Sequence, residues 1–210
     1  MNKFIENAQW RYATKKYDSS KKISAEDLST LKKAMQLSAS SFGLQPYKIL
    51  IVDNPEIRKQ LQPASWNQSQ IVDASHVIVF ANYIDFNNDL VDAHIQNTAQ
   101  TRNIAVENLV GYGSFVKSKL NEMNLEQKNN WTAKQTYIAL TNLLNAASSL
   151  NIDATPMEGF EPEKYNEILG LNKLNLNASV VATIGYRSEE DLTQHLAKVR
   201  KPENELFITL

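Results

Sequence analysis

The residues of this chain best placed to do chemistry form a turn, Thr155, Pro156, Met157, Glu158, Gly159, Phe160. Backbone N–H groups of a glycine-containing turn, held by a buried helix and strand, can point at an electron-rich ligand. The same six residues also fit an ordinary strand ending with a surface glutamate. Cations make a second candidate. Arg11 and Lys15, four apart, lie on one helical face or bracket a tight turn, and either arrangement can hold a phosphate; a solvated helix end is the plain alternative. Lys198 and Arg200 make a similar pair, or a basic tail. Ser38 to Gly43 is a small-residue loop rich in donors.

Other chemistries are excluded. Cysteine is absent, which removes disulfides, thiolate catalysis and cysteine-based metal sites. His76, His94 and His195 share no ligand spacing, which argues against a protein metal site. The six glycines, at 43, 111, 113, 159, 170 and 185, give neither G-x-G-x-x-G nor a Walker loop, and there is no G-x-S-x-G elbow. A formal charge of −1 argues against a nucleic-acid or anionic-membrane partner. No apolar run reaches transmembrane length and the first residues are not a signal peptide, so the expected compartment is the cytoplasm.

The turn needs elements to hold it. Ala133, Tyr137, Leu140, Leu144 and Ala147 recur at helical spacing, and Ile138, Ala139, Leu143, Ala146 and Leu150 fill most of the remaining circumference. A helix apolar on nearly every side is expected to be buried. Thr132 with Gln135 fits a capping box, Asn130 competes as N-cap, and Asn151 can end the helix in a left-handed conformation. Residues 2 to 10 read as a short helix. Ser24 with Asp27 starts another, through Leu37. Lys48 to Val52 reads as a strand, followed by Asn54 and Pro55 as N-cap and first helical residue. Trp66, Asn67, Gln68, Ser69 and Gln70 precede the strand His76 to Ala81, whose unbroken apolar run suits a central position. Beyond Asp85 a long helical region is expected to about Gly111, and residues 112 to 130 read as a mobile helical flap. Pro162 starts a short helix that Gly170 ends, and Ser179 to Tyr186 is a core strand.

The apolar end Leu206, Phe207, Ile208, Thr209, Leu210 reads as a strand that joins this chain's own sheet or docks on a second subunit. Four or five strands among more numerous helices, without regular alternation, make an α+β domain with a helix-covered, mainly antiparallel sheet. With 210 residues and no linker or repeat, one domain over 1–210 is the simplest division.

Taken in order, Arg11-x-x-x-Lys15, Ser40 to Pro46, Asn67, Asp73 to Val77, Pro156-x-Glu158-Gly159-Phe160 and Lys198-x-Arg200 resemble the oxygen-insensitive nitroreductase family. The similarity spans nearly the whole chain and is strongest to the enteric branch also named dihydropteridine reductase. The resemblance implies an intertwined homodimer with one FMN in each of two interface clefts, and NADH or NADPH as co-substrate. It implies that Arg11, Lys198 and Arg200 clamp the phosphate and ribityl chain, with Lys15 near flavin N1 and O2. Asn67 would face the pyrimidine edge, the N–H groups of Glu158 and Gly159 would reach N5 and O4, and Ser40, Ser41 and Gly43 would come from the other subunit. Tyr12 and Ala13 stand where close relatives often carry His and Ser, and Gln70 where they often carry Lys, which removes a second cation from the flavin edge. No side chain acts as acid or base in this picture. The activity implied is two-electron, ping-pong transfer from NAD(P)H to nitroaromatics, quinones or pteridines. A flavin or quinone reductase, and a dimeric protein that stores or senses flavin, are the alternatives.

Overall fold

The computed structural model describes residues 2–210. Its elements follow from local signals. Asn2 accepts from Phe4 N–H and starts α1, Lys3–Trp10. Ser24 accepts from Asp27 N–H and starts α2, Ala25–Gln36. Strand β1, Tyr47–Val52, leads to Asn54, whose side chain caps α3, Pro55–Leu61. A single turn, α4 (Gln70–Asp73), precedes β2, His76–Tyr83. The expected long helical region is divided. Asn103 takes φ 52° and ends α5, Asn88–Arg102, before α6, Val110–Asn121. The segment read as a flap is thus α6 together with the first turns of the next helix. It is packed down, since Val116 and Leu120 join a buried cluster with Val91 and Ile95.

Helix α7, Leu125–Ser149, begins earlier than the sequence pattern predicts. Asn124 and Gln127 form the capping box, not Thr132 and Gln135, and Asn130 lies inside the helix. The polar stretch at 125–130 has no apolar period to announce a helix; the reciprocal cap supplies the start instead. Asn151, at φ 55°, turns the chain into β3, Asp153–Met157. Helix α8, Pro162–Ile168, strand β4, Leu176–Gly185, and a last turn α9, Glu203–Leu206, complete the chain.

The four strands form one antiparallel sheet in the order β1-β2-β4-β3. Side chains alternate between its faces. Ile78, Phe80, Val180, Ala182 and Ile184 meet α2 and α7 through Leu31, Met35, Leu140, Leu143 and Ala147. Val77, Val79, Ala81 and Val181 meet Leu61, Ile71, Tyr165 and Leu171 on the other face. Both faces of the central strands are therefore dry, which is why they read as unbroken apolar runs; each fully buried large side chain contributes about 1.5–3 kcal/mol.

Two apolar expectations fail in the single chain. Tyr137 and Ile138 on α7 are exposed, on a stripe with Lys134 and Thr141, so that helix is buried on one side only. The tail read as a strand over 206–210 has Leu206 in the turn α9, and 207–210 join no strand of this chain's sheet, which removes the first of its two expected dockings and leaves docking on a second subunit open; Phe207, Ile208 and Leu210 are exposed.

Candidate functional site

Helix α1 stops at Trp10, and Arg11 is already extended at φ −70°, ψ 146°. Arg11 and Lys15 therefore do not share a helical face. Residues 11–16 run beside the edge strand β3, where Thr155 Oγ1 donates to Thr14 O at 2.9 Å. Two buried carboxylates pin the inner side of this run. Thr14 Oγ1 donates to Asp153, and Asp191 accepts from Tyr12 OH at 2.9 Å and from the N–H groups of Lys15 and Lys16 at 2.7 and 3.1 Å. Thr14 is buried, while Ala13 and Lys15 are exposed on the outer side.

Arg11, Lys198 and Arg200 form a group of cations for which no carboxylate partner is present among the described residues. Burial and then the positive charge of Arg200 pull the Arg11 pKa down. Burial, Arg11 and Arg200 do the same to Lys198. The Arg11 Nε–H is buried with no acceptor. A cationic group with an orphaned donor is energetically costly as it stands, and an anion relieves both costs. Lys198 is engaged differently from the expected clamp. Its ammonium donates to the carbonyls of Ala8, Gln9 and Arg11, which commits its three donors to the end of α1.

Strand β3 carries the chain from this group to the turn. Pro156, which lacks an N–H, lies on the edge strand β3, the position in a sheet where proline is tolerated. The exposed Glu158 carboxylate accepts from Tyr137 OH at 2.6 Å. Burial and then that carboxylate raise the Tyr137 pKa to about 12, so the hydroxyl stays protonated and donating. Gly159 lies under the Trp66 indole, and a β-carbon there would come within 2.8 Å of the ring. Gln68 Nε2 donates to Gly159 O at 2.9 Å, tying the turn to the loop that carries Asn67. Trp66 and Asn67 both take φ 55°, an ordinary state for Asn and a strained one for Trp, a residue 68% exposed. Gln70, the first residue of α4, is buried, at 6% exposed.

Ser40, Ser41 and Gly43 are held elsewhere. Ser41 N–H donates to Gln135 Oε1 at 2.9 Å, and Asn142 Nδ2 donates to Ser38 Oγ at 2.8 Å. Gln135 and Asn142, seven apart, share one face of α7; Tyr137, which holds Glu158, is about 200° round the helix from Gln135. The serine loop and the Glu158 turn thus flank opposite sides of α7. Within one chain, the structure joins the Arg11 group to the Glu158–Asn67 group and leaves the serine loop apart.

Sequence reasoning missed Trp66, Gln68, Tyr137 as a partner of Glu158, and Asp191. Of these, only Tyr137 had a visible signal, being a polar-tipped residue on a helix otherwise read as apolar.

Residues 8–186 match the family model described as the nitroreductase family. The chain is 34% identical over 215 residues to the major NAD(P)H-flavin oxidoreductase of Aliivibrio fischeri, covering 98% of each sequence. It is 37% identical over 219 residues to a protein of Staphylococcus epidermidis provisionally named an NAD(P)H nitroreductase, covering 99% of this chain and 97% of that one. Among solved structures, a provisionally named nitroreductase of Exiguobacterium sibiricum, in complex with FMN, superposes with a TM-score of 0.83 at 21% identity, over 99% of this chain and 97% of that one.

Proposed function

Because the chain belongs to the nitroreductase family, we propose that two copies hold FMN at their shared surface and pass two electrons from NADH or NADPH to a nitroaromatic, quinone or pteridine acceptor. The observation that carries this reading is the unpaired cation group with its orphaned Arg11 Nε–H, joined by β3 to a donor turn. A phosphate monoester fits the first and an electron-rich ring edge fits the second.

Arg11 and Arg200 bind the phosphate, with Lys198 holding Arg11 in place through its carbonyl. Lys15 sets a positive charge beside the pyrimidine edge, where charge accumulates on reduction. Asn67 faces that edge, and Gln70, Tyr12 and Ala13 support the surrounding backbone. The N–H groups of Glu158 and Gly159 present donors to the ring centre. Bound FMN supplies N5, the atom that accepts and returns hydride. With no G-x-G-x-x-G segment to bind a second nucleotide separately, NAD(P)H and acceptor use one cleft in turn, giving a ping-pong cycle.

Three features support the homodimer. In one chain the serine loop and the Glu158 turn bond to different faces of α7, which fits Ser40, Ser41 and Gly43 serving the partner's site. The α7 stripe of Tyr137 and Ile138 is exposed in the single chain. The apolar tail 206–210 needs cover, and the open edge of β1, beside a groove of about 580 Å³ lined by Met35, Tyr47 and Ile49, offers it to the partner's tail. Tyr47 OH is buried there without a hydrogen-bond partner. The reaction needs a compartment that supplies NAD(P)H, such as the cytoplasm.

Purification tests the reading. A yellow protein that releases FMN on denaturation and oxidises NAD(P)H steadily only with an acceptor present supports it. A loaded protein without turnover would instead be a flavin store or sensor. A colourless protein, inactive with added FMN, would refute it.

A further inference from the structure

The Lys15 ammonium has no hydrogen-bond or ion-pair partner among the described residues. Its four-carbon stem is flexible, so its aim depends on how firmly its backbone is held. The holder lies 176 residues away in sequence. Asp191 is 2% exposed, and besides Tyr12 OH and the N–H groups of Lys15 and Lys16 it accepts from Thr193 N–H at 3.1 Å and Thr193 Oγ1 at 2.5 Å. A buried carboxylate is tolerated because these donors converge on it. Burial alone would raise its pKa; the hydrogen bonds from Thr193, Lys15, Lys16 and Tyr12 outweigh that and hold it at about 2. A second brace reinforces the first: the Arg187 guanidinium stacks 4.3 Å from the Trp10 ring centre and 4.5 Å from that of Tyr12 while pairing with Asp153.

Building on the FMN reading above, we propose that Asp191 is a positioning residue that fixes the backbone at Lys15 and so aims the ammonium at the cofactor. It does not touch the ligand. Its charge and its bracing act in opposite senses. A nearby carboxylate by itself disfavours a more negative ring, so removing the charge alone would raise the midpoint potential of bound FMN. Removing the brace frees Lys15 and lowers that potential. The sign separates the two.

The test uses the full-length protein and Asp191→Asn, with two readouts. Without cofactor, amide exchange at Lys15 and Lys16 is expected to speed at least tenfold while β2 amides keep their protection. With FMN bound, potentiometric titration is expected to give a fall of about 30 mV, equivalent to tenfold weaker relative binding of the reduced form. Lys15→Met is expected to lower the potential as well, and Asp191→Asn added to it to lower it no further, leaving only the small rise from the lost charge. A rise in potential in Asp191→Asn alone, unchanged exchange, or a further fall when Asp191→Asn is added to Lys15→Met would overturn the proposal. If Asp191→Asn does not fold, Tyr12→Phe removes a single donor and is expected to give a smaller fall; no fall would count against the brace. A wild-type chain that binds no FMN would instead overturn the functional reading on which this rests.

Discussion

Replacing Arg11 with methionine is expected to move two measurements in opposite directions. In the protein without cofactor, Arg11 is partly buried beside Arg200 and its Nε–H has no acceptor. An unsatisfied buried donor costs about 1–3 kcal/mol, and methionine keeps much of the apolar stem's packing. A net gain of about 1 kcal/mol is expected, which for a chain of this length raises Tm by about 2–4 °C. With FMN, the variant loses charge-assisted hydrogen bonds of about 1.5–3 kcal/mol, so Kd rises about 10- to 160-fold. Thermal unfolding of the apoprotein at fixed protomer concentration and fluorescence titration with FMN measure the two effects. An apoprotein destabilised by several degrees with unchanged FMN affinity would mean that Arg11 is a structural residue and the phosphate lies elsewhere.

Gly159→Ala forces its new methyl against the Trp66 ring and is expected to weaken FMN binding, with Trp66→Ala in the same chain restoring part of it; fluorescence titration compares the three. Deleting residues 207–210 is expected to weaken the dimer, seen as monomer in sedimentation at micromolar protein; an unchanged association constant would exclude the tail from the interface. Acid unfolding follows the sign of the Asp191 shift. Its folded pKa, about 2, lies below the usual 3.8, so the carboxylate contributes up to about 2 kcal/mol above pH 4, lost as pH falls toward 2. The stability gap between wild type and Asp191→Asn is therefore expected to close across that window, and a gap constant with pH would refute the assignment.

Elements set by local signals were legible in the sequence. The caps at Ser24 and Asn54, the left-handed Asn151 and the apolar runs of β2 and β4 each depend on a few adjacent residues. The start of α7 was not, because its polar first turns carry no apolar period and the cap at Asn124 looks like many other asparagines. The exposure of Tyr137 and Ile138 was hidden for a different reason: an apolar stripe reads alike whether its own chain or a second copy covers it. The cations of the site were visible as residue types, but their geometry was not. Arg11 and Lys15 lie on an extended run because Asp153 and Asp191, far along the chain, capture its inner side. The burial of Gln70 was not legible either, since it depends on packing and not on neighbouring residues.

The proposed function requires two copies of this chain to build two FMN sites between them. A native mass spectrum of the purified protein measures this directly. A dimer carrying two FMN molecules is expected, with flavin lost as the dimer is driven apart. A monomer that retains FMN, or a dimer that binds none when FMN is supplied, would contradict it.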